Sequence, residues 1–138
     1  MALTLLDAGV IIGILDDADA HHAAARAAVQ SALARGDILA VPASAYAECL
    51  VAPARRGRQA TQAVDAFLAD LAADVEPITR QLAAKAAHLR ARHGTRLRLP
   101  DALVLATALH LRADRVLTTD AGWPAVGVPV EVVTAPGG

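Results

Sequence analysis

A chain of 138 residues, 55% hydrophobic and 20% charged, fits one globular domain and excludes both a disordered chain and a pair of domains. A formal net charge of −1 excludes nucleic-acid binding through bulk positive charge, and a single Phe, Tyr and Trp exclude a single-strand binder that stacks bases on aromatic rings. The lone Cys49 excludes an internal disulfide and a cysteine-based zinc site.

In chain order, residues 3–6 form a short apolar run ending in Asp7-Ala8-Gly9 and read as a buried strand. Residues 10–15 are a second apolar run, closed by Asp16, Asp17 and Asp19. Asp19 is placed to cap an Ala-rich helix over 21–35, which Gly36 ends. A strand over 38–41 meets Pro42, and a helix over 44–54 carries Glu48. Arg55-Arg56-Gly57-Arg58 reads as a loop. The helix after it, 59–71, sets Val64, Phe67, Leu68 and Leu71 at helical spacing, a stripe for the core or for a subunit face. Next come a strand over 75–78 and a helix from the capping residue Thr79 to His93, stopped by Gly94. Pro100 opens a helix to Arg112, since proline suits a first helical turn. Residues 115–118 form a strand leading to Asp120, residues 128–133 form the last strand, and 136–138 are a flexible tail. Short apolar strands alternating with helices predict an α/β fold: one domain over 1–135, a mostly parallel central sheet flanked by helices. Residues 1–7 have no basic n-region, and no apolar run nears the ~18 residues of a membrane span, so a soluble, cytoplasmic protein without a membrane partner is expected.

Ligands of parallel α/β sheets bind at the carboxyl ends of the strands. Asp7 ends the first strand and Asp120 follows the strand 115–118; Asp101 opens the helix after Pro100, and Glu48 lies on an apolar helix. Each has an ordinary reading. An Asp at a strand end makes turns, one in a first helical turn offsets the helix dipole, and a helical Glu is usually solvated. The company of Glu48 and Asp101 is unusual, since both sit in nearly all-apolar stretches where a lone carboxylate should not be buried unpaired.

Four segments in order, Leu5-Leu6-Asp7-Ala8-Gly9-Val10, Pro42-Ala43-Ser44-Ala45-Tyr46-Ala47-Glu48, Leu99-Pro100-Asp101-Ala102-Leu103 and Leu117-Thr118-Thr119-Asp120 followed by Trp123, resemble the four acidic motifs of the PIN-domain family. The resemblance spans nearly the whole chain and is closest to the VapC toxins of bacterial toxin–antitoxin pairs. It implies a PIN-like domain with endoribonuclease activity that depends on Mg²⁺, with Mn²⁺ as a substitute. By the same resemblance Asp7, Glu48, Asp101 and Asp120 are the catalytic acids. Asp7 and Asp101 are the main metal ligands, Asp120 assists, and Glu48 binds metal or positions the attacking water. The implied products are a 5′-phosphate and a 3′-hydroxyl, which require neither 2′-hydroxyl attack nor a catalytic His. The implied partners are an RNA such as a tRNA or rRNA loop, a small antitoxin, and a second copy of the chain. Ala8 stands where many members have Thr or Ser, which removes a hydroxyl but no ligand; Thr118 and Thr119 remain as hydroxyl donors near Asp120.

The chemistry accounts for these residue types. Attack on a phosphodiester gathers negative charge, which a divalent ion neutralises while acidifying a water towards pKa ~7. Hard oxygen donors without a His/Cys cluster favour Mg²⁺ or Mn²⁺ over Zn²⁺. Between Pro77 and Pro100 there is no acid, and Arg80, Lys85, Arg90, Arg92, Arg96 and Arg98 give a basic edge leading into Asp101. Arg96 and Arg98 are the candidates for substrate binding, while Arg80 and Lys85 read as a solvated face. His21-His22 reads as helix-start surface, because adjacent helical residues point apart. Cys49 reads as a small buried hydrophobe, and Trp123 as packing. The competing functions are a DNA or flap nuclease, disfavoured by the absence of long insertions, and a non-catalytic PIN-like module binding RNA or protein, disfavoured by the full set of acids.

Overall fold

The computed structural model describes residues 1–135; the tail expected at 136–138 lies outside the described residues. The elements are β1 (Leu3–Leu6), α1 (Ala8–Leu15), α2 (His22–Ala34), β2 (Ile38–Pro42), α3 (Ala43–Arg56), α4 (Arg58–Asp70), β3 (Asp74–Glu76), α5 (Arg80–His93), a 3-10 turn (Gly94–Arg96), α6 (Leu99–Leu111), β4 (Arg115–Thr118) and β5 (Val130–Val132). The strands lie in the order β3-β2-β1-β4-β5, and every pairing is parallel. Crossover helices cover both faces of such a sheet, so its central strands must be apolar throughout. Leu5 and Leu6 of β1, Leu39 and Val41 of β2, and Val116 and Leu117 of β4 are accordingly buried.

Several local expectations are corrected. The apolar run after Asp7, which the sequence alone does not assign, is a helix, α1, capped by the Asp7 side chain. Asp19 does not cap α2: its carboxylate accepts from the His21 amide, one residue before the helix begins. The arginine-rich stretch is no loop. Arg55 and Arg56 complete α3, where their charge complements the helix C-terminus, and Arg58 starts α4. Gly57 alone turns the chain between them, at φ +116°, a conformation open mainly to glycine. β3 and β5 are three residues each, shorter than expected. By contrast the Thr79 cap stands, its hydroxyl accepting from the Leu82 amide at 3.1 Å. No helix among the described residues is long and apolar enough to cross a membrane.

The chain winds from β1 to β2 and β3 on one side, then returns to β4 and β5 on the other, so the order reverses between β1 and β4. A crevice opens beyond the carboxyl ends of the strands at such a reversal. At the opposite end of the sheet, Asp37 is buried just ahead of β2. It accepts from the Thr4 hydroxyl at 2.9 Å and from Arg35 at 3.0 Å, and the Arg115 guanidinium stands 4.0 Å away. Desolvation alone would raise its pKa, but the Thr4 hydroxyl and the two guanidinium charges outweigh it and hold the carboxyl below its ordinary value.

Candidate active site

Asp7 joins three elements at the reversal point. Its amide donates to the Leu117 carbonyl at the end of β4, at 3.0 Å. One carboxylate oxygen accepts from the Ala8 amide at 2.8 Å and so caps α1; the other accepts from the Thr118 hydroxyl at 2.7 Å. Thr118 also accepts from the Asp120 amide at 3.1 Å, so one hydroxyl ties together the first and last acids. The Asp120 carboxylate in turn accepts from the Gly122 amide at 2.8 Å, closing the turn after β4. The two layers approach closely here: a Cβ on Gly9 would run into the Thr119 hydroxyl. The site therefore carries two hydroxyls from the strand end, at Thr118 and Thr119, although position 8 has none.

The other two acids arrive from helices. Asp101 lies in the first turn of α6 and is buried, 8% exposed. It fits this place because α6 is apolar nearly all round, with Ala102, Val104, Leu105 and Ala106 in the core, so packing draws its first turn down onto the sheet end. Arg98 donates to Asp101 from three residues earlier, at 3.4 Å, with its own side chain mostly in solvent. Glu48 comes from α3, which meets α1 where the Cys49 thiol reaches the Ala8 carbonyl at 3.9 Å. Glu48 is exposed despite its apolar company in the sequence, because the apolar residues of α3 turn inward at Ala45, Cys49 and Pro53.

Electrostatics show that the four acids share one neighbourhood. Burial, then the charges of Asp101 and Asp120, push the Asp7 pKa up, against the opposing effect of its two hydrogen bonds. Glu48 is raised by desolvation and by the charges of Asp7 and Asp101, with Arg98 opposing. Asp101 is raised by desolvation and by Asp120, with Arg98 and the Trp123 indole opposing. Even the Cys49 thiol is pushed up to about 12, by burial and then by Asp7 and Glu48; it is buried and unreactive, as a small core residue should be.

The donor set suits a hard divalent cation. It consists of carboxylate oxygens with hydroxyls nearby, and among the described residues the cation acting on Glu48 and Asp101 is the largely solvated Arg98. Among the described residues no three His, Cys, Asp or Glu side chains are arranged to hold one ion together. Mg²⁺ does not require that arrangement, since it keeps most of its waters and takes one or two carboxylates.

The remaining sequence candidates divide. Arg98 stands at the site, anchored on Asp101, whereas Arg96 is exposed on the 3-10 turn without an ion pair among the described residues. Lys85, His88 and Arg92 line a shallow groove on α5. His21 pairs with Asp19 at 3.3 Å, and His22 bonds the Gly13 carbonyl at 2.8 Å, so the His pair is structural. Two contacts at the site escape sequence reasoning. Thr118 bonds Asp7, a contact across 111 residues that no local pattern signals. Trp123, expected to serve packing, does pack on the core but also turns its indole toward Asp101.

The PIN domain profile matches residues 4–129. No curated protein sequence matches the chain. Among solved structures, the chain is similar to VapC20 of Mycobacterium tuberculosis, described as a sarcin-ricin loop cleaving toxin. Identity is 21%, with 82% of this chain and 86% of that one covered at a TM-score of 0.66. It is also similar to VapBC2 of Rickettsia felis bound to a promoter DNA fragment, at 14% identity, 94% and 98% coverage and a TM-score of 0.75. A toxin–antitoxin complex from Klebsiella pneumoniae is similar at 22% identity, 88% and 96% coverage and a TM-score of 0.66.

Proposed function

The chain belongs to the PIN-domain family, and from that premise we propose that it is a Mg²⁺-dependent endoribonuclease acting as the toxin of a toxin–antitoxin pair. One observation carries the proposal: Asp7, stitched between β1, α1 and β4, lies within reach of the charges of Glu48, Asp101 and Asp120 at the point where the strand order reverses. Three acids raised by burial and by neighbouring carboxylate charge form a poor structural device and a good cation trap.

Asp7 and Asp101 would be the main ligands of Mg²⁺, with Mn²⁺ as a substitute, and Asp120 would assist through one of the ion's waters or at a second ion. The ion, when bound, supplies positive charge against the scissile phosphate and acidifies a water near neutrality. The protein's own part is positioning and proton handling. Thr118 and the Ala8 amide fix both oxygens of Asp7, leaving it one orientation. Glu48 is exposed at the rim, with a raised pKa, and is suited to orient the attacking water and take its proton. Arg98 and Arg96 would meet the RNA backbone from the solvent side. No catalytic His is required, in keeping with a product bearing a 5′-phosphate.

The toxin assignment draws support from the fold neighbours, one described as a sarcin-ricin loop cleaving toxin and another as a toxin–antitoxin complex. A structured RNA loop is accordingly the substrate class. A groove beside Glu48, walled by Ile12 and Leu15 of α1 and by Ala52 and Pro53 of α3, gives an antitoxin apolar ground next to the acids. Pairing of two copies is part of the same reading.

The test is cleavage of structured RNA, single-stranded RNA and DNA by the purified protein in Mg²⁺, Mn²⁺ or EDTA, beside Asp7→Ala and Asp101→Ala. RNA cleavage that needs the metal and vanishes in both variants supports the proposal. Preference for DNA would establish the DNA-nuclease reading, and metal-independent RNA or protein binding without cleavage would establish the non-catalytic one.

A further inference from the structure

Trp123 stands three residues after Asp120, in the segment that leads from β4 to β5. Its ring is half-buried against the core and forms one wall of a depression together with Asp120, Pro124 and Val130. Packing alone would be satisfied by any aromatic side chain. The indole nitrogen is another matter. Nε1–H is shielded from solvent and makes no hydrogen bond within ordinary geometry among the described residues. A buried donor without an acceptor is destabilising, and native structures avoid it. Because an indole N–H can only donate, it must be matched to an acceptor. The acceptor it approaches is the carboxylate of Asp101, to which Arg98 also donates at 3.4 Å. Asp101 has no side-chain cap at the start of its own helix to fix it, since the residue before α6 is Arg98.

We propose that Trp123 is a positioning residue: its indole N–H is the donor that, together with Arg98, orients the buried Asp101 carboxylate. The contact tightens once Asp101 is called on to bind a cation, because a ligating carboxylate whose free lone pairs are already engaged loses less freedom on binding. The consequence for metal affinity rests on the proposed metal site; the hydrogen bond itself does not.

Trp123 is the only tryptophan, so it gives a single indole N–H resonance and can be replaced selectively. The first measurement is calorimetric titration of the full chain with Mn²⁺ and with Mg²⁺, for the natural protein and for Trp123→Phe, which keeps an aromatic ring and removes the donor. A dissociation constant raised about tenfold, with the melting temperature in EDTA little changed, supports the proposal. Equal constants within twofold overturn it. Should Trp123→Phe fold poorly, the benzothiophene analogue of tryptophan, with sulfur in place of N–H in the same ring shape, decides the matter by the same titration. Should the natural protein bind neither ion, the metal-site reading fails on its own account. The proposal is then decided by the indole resonance of the metal-free protein. A resonance that moves upfield and exchanges faster in Asp101→Ala supports it, and one unchanged by that substitution overturns it.

Discussion

Asp7 and Asp37 are equally buried, each 9% exposed, and sit at opposite ends of the same sheet. Their environments push them in opposite directions. Asp37 is met by Thr4, Arg35 and Arg115, and its carboxyl is held below the ordinary range. Asp7 is met by Thr118 and the Ala8 amide, but also by Asp101 and Asp120, and it is raised. Desolvation is the largest cause at both; at Asp37 a hydroxyl and two arginines outweigh it, whereas at Asp7 it prevails and neighbouring carboxylates add to it. At the amino end of the strands, arginines of the chain itself complete the charge balance. At the carboxyl end the acids outnumber the cations, and the balance is left for something that binds.

The contrast between the two ends can be broken at several points. The largest effect is expected in cleavage: Asp7→Ala should lower metal-dependent RNA cleavage by more than about 100-fold, since loss even of residues that only support metal ligands costs 10–100-fold. Asp37→Ala should leave cleavage per folded molecule intact. Equal losses in the two variants, measured as initial rates, would erase the distinction between the ends.

Gly9→Ala comes next. A methyl there has no room beside Thr119, and the overpacking should cost about 1–3 kcal/mol in urea unfolding. A neutral result would mean that the carboxyl end of the sheet is looser than its hydrogen bonds suggest.

A smaller effect separates the charges themselves. With EDTA present, Asp37→Asn should lower the melting temperature, because it strips a buried partner from two arginines, whereas Asp7→Asn should hold or raise it. Millimolar Mg²⁺ should raise the melting temperature of the natural protein and not that of Asp7→Asn, through preferential binding to the folded state. A melting point in the natural protein indifferent to Mg²⁺ would count against the cation site.

The smallest effect is the dependence on pH. For Asp7, Glu48 and Asp101 the folded pKa lies above the unfolded value of about 3.9–4.3. The folded state therefore takes up protons first as the pH falls. Destabilisation from these groups grows as pH rises from about 4 through their raised values, so in EDTA the protein should melt higher in mild acid than at neutrality. Asp37 has the opposite sign: its contribution is present above the unfolded value and disappears as the pH drops through its lowered one. An Asp7→Asn variant with a flatter melting profile between about pH 4 and 7 would assign the slope to the acid site.

Much of the fold and the site is legible in the sequence, and the parts that are not have common physical causes. The alternation of apolar strands and helices points to the α/β architecture, and the four acidic segments in order point to the family. The Thr79 cap and the Gly94 stop are local, and local signals hold. Asp19 misleads because a short carboxylate can bond an amide two residues on without starting a helix. The arginine-rich stretch resembles a loop because composition does not reveal that one glycine at positive φ can make the whole turn. Glu48 has apolar neighbours in sequence, yet helical periodicity places it on the outer face. What Thr118, Trp123 and Asp37 touch escapes for a different reason. Their partners are, respectively, 111, 22 and 33 residues away in the chain, and only the parallel crossover topology brings them together.

That separation has a consequence for the timing of assembly. β1 can pair with β2 soon after both are synthesised, but it meets β4, more than a hundred residues after it in the chain, only much later. Until then the first acid lacks the hydroxyl that fixes it and the last acid that completes its surroundings. A nascent or truncated polypeptide ending before β4 holds the opening motif in an incomplete setting, and is inert on that account. Whatever chemistry the crevice performs therefore waits on the arrival of β4 beside β1.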